Sequence, residues 1–264
     1  MARAEPFRRQ GARRLYAGWF PAQQRLHLAA LLIAFAAVPA FASDISFNPT
    51  ITDADFAHFS RLVGQAIFAT PVQPARATGF LGFDVGIAAT AVPIDSKAAY
   101  WTNSVTSTRL EQNGYLAVPR LIASKGFGAA TVSGTYAARG DIKMYGGALD
   151  IPLIRGTLAT PEIALRGSYS TLTGLDVFHE KTYGLEAFIS KGFGPVTPYG
   201  AIGRQRDNAS GSVTVSTVTR TLADRSNVTR FTAGVRLSLL LPKITVEATK
   251  AEVTSYAAKI SFGF

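Results

Sequence analysis

Hydropathy alternates with a period of two residues from about residue 80 to the last residue, Phe264. In the segment 83–91, the apolar side chains stand at every second position, and Asp84, Gly86 and Thr90 lie between them. Successive side chains of an extended strand point to opposite faces, so this period predicts β-strands that each have one apolar face. The alternation covers most of the 264 residues and predicts an all-β fold.

The polar face of these strands separates two architectures. A soluble sandwich or barrel normally carries many Lys and Glu residues on its solvated face, whereas a membrane barrel turns its apolar face to lipid. Here the polar face is mostly Gly, Ser, Thr and Ala with isolated charges. Strands of about 9–11 residues also match a tilted transmembrane strand, and closure satisfies every backbone group. We therefore predict a closed antiparallel transmembrane β-barrel, with a soluble periplasmic β-protein as the alternative.

Ten alternating runs predict a barrel of ten strands, and eight or twelve strands are the alternatives. An even count places both ends of the barrel on the periplasmic side, and the longest connections, 92–114 and 207–227, then fall on the outer side. The predicted strands are 80–91, 115–124, 130–138, 142–154, 162–172, 180–190, 197–206, 228–239, 244–252 and 255–264.

The pentapeptide SKGFG occurs twice, at 124–128 and 190–194. The two copies close the turns after the second and sixth predicted strands, which places both on the periplasmic rim. Their glycines can adopt positive φ, and their Lys and Phe side chains suit the lipid headgroup interface. Neither copy has the G-x-x-x-x-G-K-[ST] spacing of a phosphate-binding loop.

The amino terminus has the pattern of a secretory signal peptide. Six arginines precede or border an apolar block at 26–38, and the small residues Ala40 and Ala42 follow it. The block of about 13 residues is too short to span a membrane. We predict that residues 1–42 are cleaved after Ala42 and that export uses the general secretory route.

Removal of this leader halves the basic excess. It leaves 21 basic and 16 acidic residues, so the formal charge falls from +10 to +5 and no basic run remains. This argues against nucleic acid as a partner. The absence of cysteine excludes disulfides and thiolate metal sites, and we predict no cofactor and no metal.

A helical segment precedes the barrel. Thr52 and Asp55 resemble a capping box, apolar residues then recur at helical spacing, and Pro71 ends the pattern. We divide the mature chain into this segment, 43–76, and the barrel, 77–264. Phe56 and Phe59 are candidates for a plug in the barrel mouth, and the periplasmic rim or the membrane surface are the alternative positions.

The closing residues carry a family resemblance. Phe262-Gly263-Phe264 ends the chain, with Ile260 and Tyr256 in the same register. Over residues 80–264 the chain resembles Gram-negative outer-membrane β-barrel proteins. The resemblance implies that Tyr256, Ile260, Phe262 and Phe264 form the signal read by the barrel-assembly machinery. It also implies insertion into the lipid bilayer of the outer membrane from the periplasm.

Motifs for catalysis are missing from the sequence. There is no H-E-x-x-H, no G-x-S-x-G and no cysteine nucleophile. We predict that the protein is not an enzyme and has no catalytic residues. The alternative is a barrel hydrolase, for which His179, Asp176 and Glu180 could form a site near the outer rim.

Isolated charges on the polar face give a better indication of function. Buried charges need partners or water, so they predict either an ion-pair lattice that fills the barrel or a wet lumen with mild anion preference. The residues predicted to line the lumen are Asp84, Arg120, Asp150, Arg166, Glu186, Arg204, Arg230, Arg236, Glu247 and Lys259.

These patterns predict a small passive channel or uptake protein for small anionic or amphipathic solutes. The alternative is a structural or surface-interaction barrel without an open pore. In that case the long outer loops, one of which carries Tyr100 and Trp101, would bind a partner.

Overall fold

The computed structural model describes residues 45–264 except 77, 106–113, 158 and 216. The predicted signal peptide, residues 1–42, lies outside the described residues.

Ten antiparallel strands close into a single barrel, in which each strand pairs with its neighbours in sequence and β1 pairs with β10. The predicted fold class and strand number are confirmed. The strands are β1 (Phe83–Pro93), β2 (Tyr115–Gly126), β3 (Thr131–Arg139), β4 (Ile142–Ile154), β5 (Glu162–Thr173), β6 (Phe178–Ser190), β7 (Val196–Val215), β8 (Val218–Ser238), β9 (Pro242–Lys250) and β10 (Thr254–Gly263).

In the described part of the chain, two helices accompany the barrel, α1 (Asp53–Ile67) and α2 (Ala99–Thr102). The Thr52 hydroxyl caps α1 by accepting a 3.1 Å hydrogen bond from the Asp55 amide, as the sequence pattern predicted. Neither helix in the described part of the chain is long and apolar enough to cross a membrane.

The two ends of the barrel differ. One end, here the terminal rim, carries the start of β1, the end of β10 and both SKGFG turns. The opposite end is the loop rim. In each SKGFG copy the second glycine has positive φ, 78° at Gly128 and 60° at Gly194. The preceding Phe127 and Phe193 are exposed beside the membrane-facing surface.

The outward face of the strands is apolar between two bands of aromatic side chains. Exposed phenylalanines lie at the terminal rim near β1, β10 and the two SKGFG turns, and Phe83 contacts Phe264 with ring centroids 4.7 Å apart. Nearer the loop rim, exposed tyrosines stand in pairs on adjacent strands. This arrangement is typical of barrels that cross a lipid bilayer. The outward residues between these bands, here called the apolar belt, include Val85, Ile87, Leu121, Val132, Leu149, Ile151, Leu185, Ile189, Ile202, Phe231, Val235, Val246 and Ile260. The tyrosines nearer the loop rim, here called the tyrosine band, are Tyr136, Tyr145, Tyr169 and Tyr183.

The predicted outer loop at 207–227 is a strand hairpin instead. β7 and β8 stay paired to Val215 and Val218, so the connection is only a tight turn. Cross-strand hydrogen bonds satisfy the backbone of this Ser/Thr/Val-rich stretch, whose weak hydropathy contrast hid the alternation. Strand pairing between β6 and β7 ends at Gly211, and β8 pairs with β9 only from Phe231 onward, so the hairpin projects from the barrel.

The described stretch that follows β1, residues 94–105, folds back over the loop rim. Its helix α2 brings Trp101 to 1% exposure against Phe59, with ring centroids 5.9 Å apart. Tyr100 is also buried and lies over His58. These two side chains therefore close the barrel, and the prediction that the loop carrying them binds a partner stays a prediction.

The segment before β1 runs through the barrel from the loop rim to the terminal rim. Ile45 forms a bridge with Val105, and Asp53 pairs with Arg220 near the hairpin tip. Farther along, Gln73 contacts Lys259, and the Arg76 carbonyl accepts a bond from Thr131 near the terminal rim. We call residues 45–76 the plug segment.

Aromatic packing anchors the first half of the plug segment. Phe56 and Phe59 are buried in a cluster with Phe47 and Phe178, whose ring centroids lie 5.3–6.1 Å apart. The two plug candidates thus lie inside the barrel near the loop rim, and neither lies on the membrane surface. The interior of this half is apolar, whereas the half toward the terminal rim is polar.

Candidate functional site

The contact between the plug segment and the inward face of the barrel wall is the candidate functional site. The structure places nine of the ten charged residues predicted to line the lumen on this inward face, each less than 9% exposed. They are Asp84, Arg120, Asp150, Arg166, Glu186, Arg230, Arg236, Glu247 and Lys259.

Arg204 is the exception, and its predicted position in the lumen is wrong. Its side chain is exposed on the outward face of β7, which it shares with Ile202. Tyr199 and Gln205 are buried on the inward face, and this fixes the register of the strand. Arg204 therefore belongs to the outer surface of the barrel.

Arg166 joins the wall to the plug segment near the middle of the barrel. Its Nε and Nη2 donate to the two oxygens of Asp150 at 2.6 and 2.9 Å, and Nη2 also donates to the Gln73 carbonyl at 3.1 Å. Both charged side chains are 0% exposed. Their neighbouring positions on β4 and β5 bring them together, because Asp150 and Arg166 are cross-strand partners.

A second charged group holds the same plug residue from the other side. Lys259 donates to the Gln73 side-chain oxygen at 2.8 Å and to Asp84 at 2.9 Å. Asp84 also accepts bonds from Ser261 and Lys243 at 3.0 and 3.3 Å. Gln73 is thus bound through its backbone by one strand pair and through its side chain by another.

Arg120 binds the end of helix α1. It donates to the Phe68 carbonyl at 2.7 Å and to the Ala66 carbonyl at 3.0 Å. The last carbonyls of a helix have no partner within the helix and carry partial negative charge. A buried guanidinium supplies both the hydrogen bonds and the charge, so the wall fixes the point at which α1 stops.

Arg230 forms a third wall contact through stacking. Its guanidinium lies 3.8 Å from the Phe68 ring centroid, and it bonds Glu186 at 3.3 Å and Gln205 at 2.7 Å. Gln205 in turn donates to Asp207 at 2.6 Å. The polar chain thus continues from the middle of the barrel toward the loop rim.

Glu247 accepts hydrogen bonds from both the plug segment and the wall. The Thr70 hydroxyl donates to it at 3.2 Å, and the Tyr199 hydroxyl donates at 2.8 Å. These contacts show that the interior charges make an ion-pair and hydrogen-bond lattice around residues 66–76. The lattice is one of the two interior arrangements that the sequence allowed.

Two carboxyl groups face α1 on the loop-rim side of the tyrosine band, outside the membrane-spanning part of the strands. Glu180 and Asp207 are both 0% exposed, and a Cβ placed on Gly64 would lie 2.7 Å from Asp207 and 3.3 Å from Glu180. Both oxygens of Glu180 and one of Asp207 have no hydrogen-bond partner among the described residues. Burial raises the pKa of Asp207 to about 7, although Gln205 opposes the shift. Burial and the nearby Asp207 and Asp224 carboxylates raise the pKa of Glu180 well above its usual range.

The residues considered for a hydrolase do not converge. His179 is exposed on the outward face of β6, whereas Glu180 is buried on the inward face. Asp176 is exposed in the turn before this strand. Across the described ranges, no three His, Asp or Glu side chains are grouped so that they could hold a metal ion.

Several site residues were missed by sequence reasoning. Gln73 stands between two prolines after the end of the predicted helix, and nothing local marks it as a partner of the wall. Asp207 was assigned to a loop. Glu180 could have been found, since it shares its inward face with Glu186 by simple alternation along β6.

Comparison with known proteins gives little beyond the fold. No protein-family model matches the chain, and no curated protein matches it. Among solved structures, the amino-terminal barrel of Pseudomonas aeruginosa OprF is 15% identical with a TM-score of 0.32, covering 69% of this chain and 97% of that one. Ail of Yersinia pestis, solved with the heparin analogue sucrose octasulfate, is 12% identical with a TM-score of 0.30 over the same shares. Neisserial surface protein A is 12% identical with a TM-score of 0.24, covering 69% and 94%.

These scores are too low to carry an argument, and the assignment rests on the barrel itself. The barrel combines a closed ten-strand sheet with an apolar belt and a band of aromatic side chains at each edge of the belt. A closed barrel is the form in which strands can cross lipid with every backbone group paired. By these features the chain is a β-barrel of the bacterial outer-membrane type.

Proposed function

We propose that this protein is a plugged outer-membrane barrel that acts through the surface it presents at the loop rim. The observation that carries the proposal is the burial of every plug residue from Leu62 to Ala75. Arg120, Arg166 and Lys259 of the wall bind this stretch. Because partnered buried charges are costly to separate, the plug segment is an integral part of the folded barrel.

The surface available for interaction is dominated by the β7–β8 hairpin. Residues 218–230 of β8 pair only with β7, and Val218 near the tip is 70% exposed. Arg220 ties the hairpin to the start of the plug segment by a 2.9 Å bond to the Ile51 carbonyl. The hairpin is thus presented in a fixed position over the barrel mouth.

A channel for small solutes is the second candidate. It is favoured by the polar character of the contact around Gln73 and Thr70, which could exchange protein partners for water if the plug segment moved. In this candidate the barrel conducts only after displacement of the plug. The two functions differ in whether the plug segment of the natural protein leaves the lumen and so allows the barrel to carry current.

The proposed orientation puts the loop rim outside the cell and the terminal rim in the periplasm. Single-cysteine variants test it directly, because the natural chain contains no cysteine. Thr219→Cys lies near the hairpin tip, Pro49→Cys lies at the start of the plug segment, and Ala159→Cys lies in the exposed turn between β4 and β5.

We expect a membrane-impermeant maleimide to label Thr219→Cys and Pro49→Cys on intact cells. Ala159→Cys should react only after the outer membrane is permeabilised, which makes it the matched control. Labelling of Ala159→Cys alone on intact cells would reverse the orientation. If Pro49→Cys reacted only after permeabilisation while Thr219→Cys reacted before it, the plug segment would not be threaded through the barrel.

A further inference from the structure

A cationic groove lies on the outward face of the barrel at the base of the β7–β8 hairpin. Its volume is about 690 Å³, and the side chains that define it are His179, Lys181, Tyr183, Arg206, Asn208 and Arg225. Cross-strand pairing builds the groove, because Tyr183 lies beside Arg206, and Asn208 lies between Lys181 and Arg225.

The charges in this groove are unbalanced. Within the described part of the chain, Lys181, Arg206 and Arg225 form no salt bridge and donate no side-chain hydrogen bond, and no acidic residue lines the groove. Arg204, one outward position below Arg206, is exposed and equally unpaired. Like charges on neighbouring strands repel one another. The inward cations Arg166 and Lys259 are paired with carboxylates, so the groove differs from the interior in lacking a counter-charge.

The height of the groove matches the lipid headgroups. Tyr183 belongs to the tyrosine band that ends the apolar belt, and the centroid of its phenol ring lies 5.2 Å from that of Tyr169. Lys181 is two residues nearer the loop rim, which is about 7 Å along the strand. Cations at this level contact phosphate and other headgroup anions, and the stem of Arg204 can extend upward from the belt to the same level.

An apolar trough lies below the groove on the same strands, one outward row farther from the loop rim than the row of Leu185, Arg204 and Thr229. Its volume is about 580 Å³, and small residues such as Ala187, Gly200 and Ala233 form its floor between the larger Ile189, Ile202 and Phe231. Ala187 and Ile202 are cross-strand partners, as are Ile202 and Phe231. A depression of this kind accepts a hydrocarbon chain.

We propose that this face binds one phosphorylated lipid of the outer leaflet. The phosphate lies among Lys181, Arg206 and Arg225, and the acyl chains lie in the apolar trough below. Arginine forks bind phosphate oxygens through two parallel hydrogen bonds, so the two arginines provide geometry as well as charge. The identification of the leaflet rests on the proposed orientation of the loop rim, and the lipid chemistry rests on the groove and trough alone.

The test uses the mature chain, residues 43–264, folded in zwitterionic micelles. It is titrated with a bis-phosphorylated glucosamine lipid. Bound lipid is counted by native mass spectrometry. One variant carries Lys181→Gln, Arg206→Gln and Arg225→Gln together. The matched control carries Lys97→Gln, Arg139→Gln and Lys143→Gln, which remove the same charge elsewhere near the loop rim.

We expect one bound lipid for the natural protein and for the control. The groove variant should bind it roughly 100-fold more weakly, since each surface cation contributes about fivefold. The dephosphorylated lipid should bind the natural protein as weakly as the phosphorylated lipid binds the groove variant. Equal binding by the groove variant and the control, or equal binding of the dephosphorylated lipid, would overturn the proposal.

Inorganic phosphate separates a lipid site from a simple anion site. Millimolar phosphate should leave the lipid bound, because the trough contributes to affinity; complete displacement would overturn the assignment to lipid. The groove variants keep the plug segment and the hairpin tip unchanged. A failure of lipid binding would therefore leave the maleimide test and the closed state of the barrel unaffected, so the two proposals can fail separately.

Discussion

Most buried charges beside the plug segment meet a specific partner, and Arg166 shows why this matters for stability. Its guanidinium contacts Asp150, the Gln73 carbonyl and the face of the Phe188 ring, whose centroid lies 4.3 Å away. No water-exposed surface is available to either charge. A change at one partner therefore leaves an uncompensated charge inside the barrel.

Arg166→Met should destabilise the protein by about 3–5 kcal/mol, because Asp150 stays buried without its partner. The midpoint of urea unfolding in micelles measures the loss. Arg155→Met, at an exposed position, is the matched control and should change stability by less than about 0.5 kcal/mol. Adding Asp150→Asn to Arg166→Met should recover part of the loss. A single variant as stable as the control would contradict the assigned role.

Glu180 and Asp207 predict a decrease of stability as the pH rises. A carboxyl group whose pKa is raised on folding binds a proton in the native state at a pH at which the unfolded chain has lost it. For Asp207 this interval extends from about 4 to about 7, so its contribution is lost across that range. Arg61 and Arg230 oppose the shift, and Asp224 adds to it.

We expect the free energy of unfolding to fall between pH 4 and pH 7, with Asp207 contributing at most about 4 kcal/mol. Asp207→Asn and Glu180→Gln should each flatten the pH profile, whereas Asp176→Asn at an exposed position should not. Urea titrations at several pH values measure this. A profile that rises with pH in the natural protein, or that is unchanged in both variants, would show that these carboxyls are not buried against α1.

Among the structural elements, the plug segment depends on close contact with the wall. A Cβ on Gly184 of β6 would lie 2.3 Å from the Phe68 ring, and Arg230 stacks on that ring and prevents it from moving away. Gly134 on β3 faces open space instead. The two glycines therefore provide a matched pair for testing plug docking.

Gly184→Val should loosen the plug segment in a barrel that still folds, and trypsin should then cleave after Arg61 in helix α1. The natural protein and Gly134→Val should resist cleavage, because Arg61 is bound to Glu252 at 3.1 Å and lies on a docked helix. A heat-dependent shift on gels verifies that each barrel is folded. Equal resistance in all three proteins would mean that the Phe68 contact does not hold the plug segment.

The elements also show how far the sequence could be read. Strand positions followed from alternation because lipid outside and polar contacts inside impose opposite demands on neighbouring residues. The β7–β8 extension was missed because Ser, Thr and Gly give no contrast above the membrane. The bonds of Gln73 to Arg166 and Lys259 join residues 93 and 186 positions apart, and no local pattern encodes such distances.

At the scale of the whole molecule, the barrel and its plug segment form one folded unit. The wall binds the plug segment by ion-paired side chains toward the terminal rim and by an aromatic cluster toward the loop rim. Helix α2 and Trp101 close the mouth above this cluster. The proposed function therefore uses the surface, which carries the projecting hairpin and the cationic groove at its base.

Single-channel conductance in a planar bilayer tests this central claim most directly. The processed protein, shown to be folded by its heat-dependent gel shift, should give no reproducible conductance steps across neutral pH. The Gly184→Val variant provides the comparison, since a loosened plug segment should produce steps in the same bilayer. Reproducible steps from the natural protein at neutral pH would contradict the account and favour the channel.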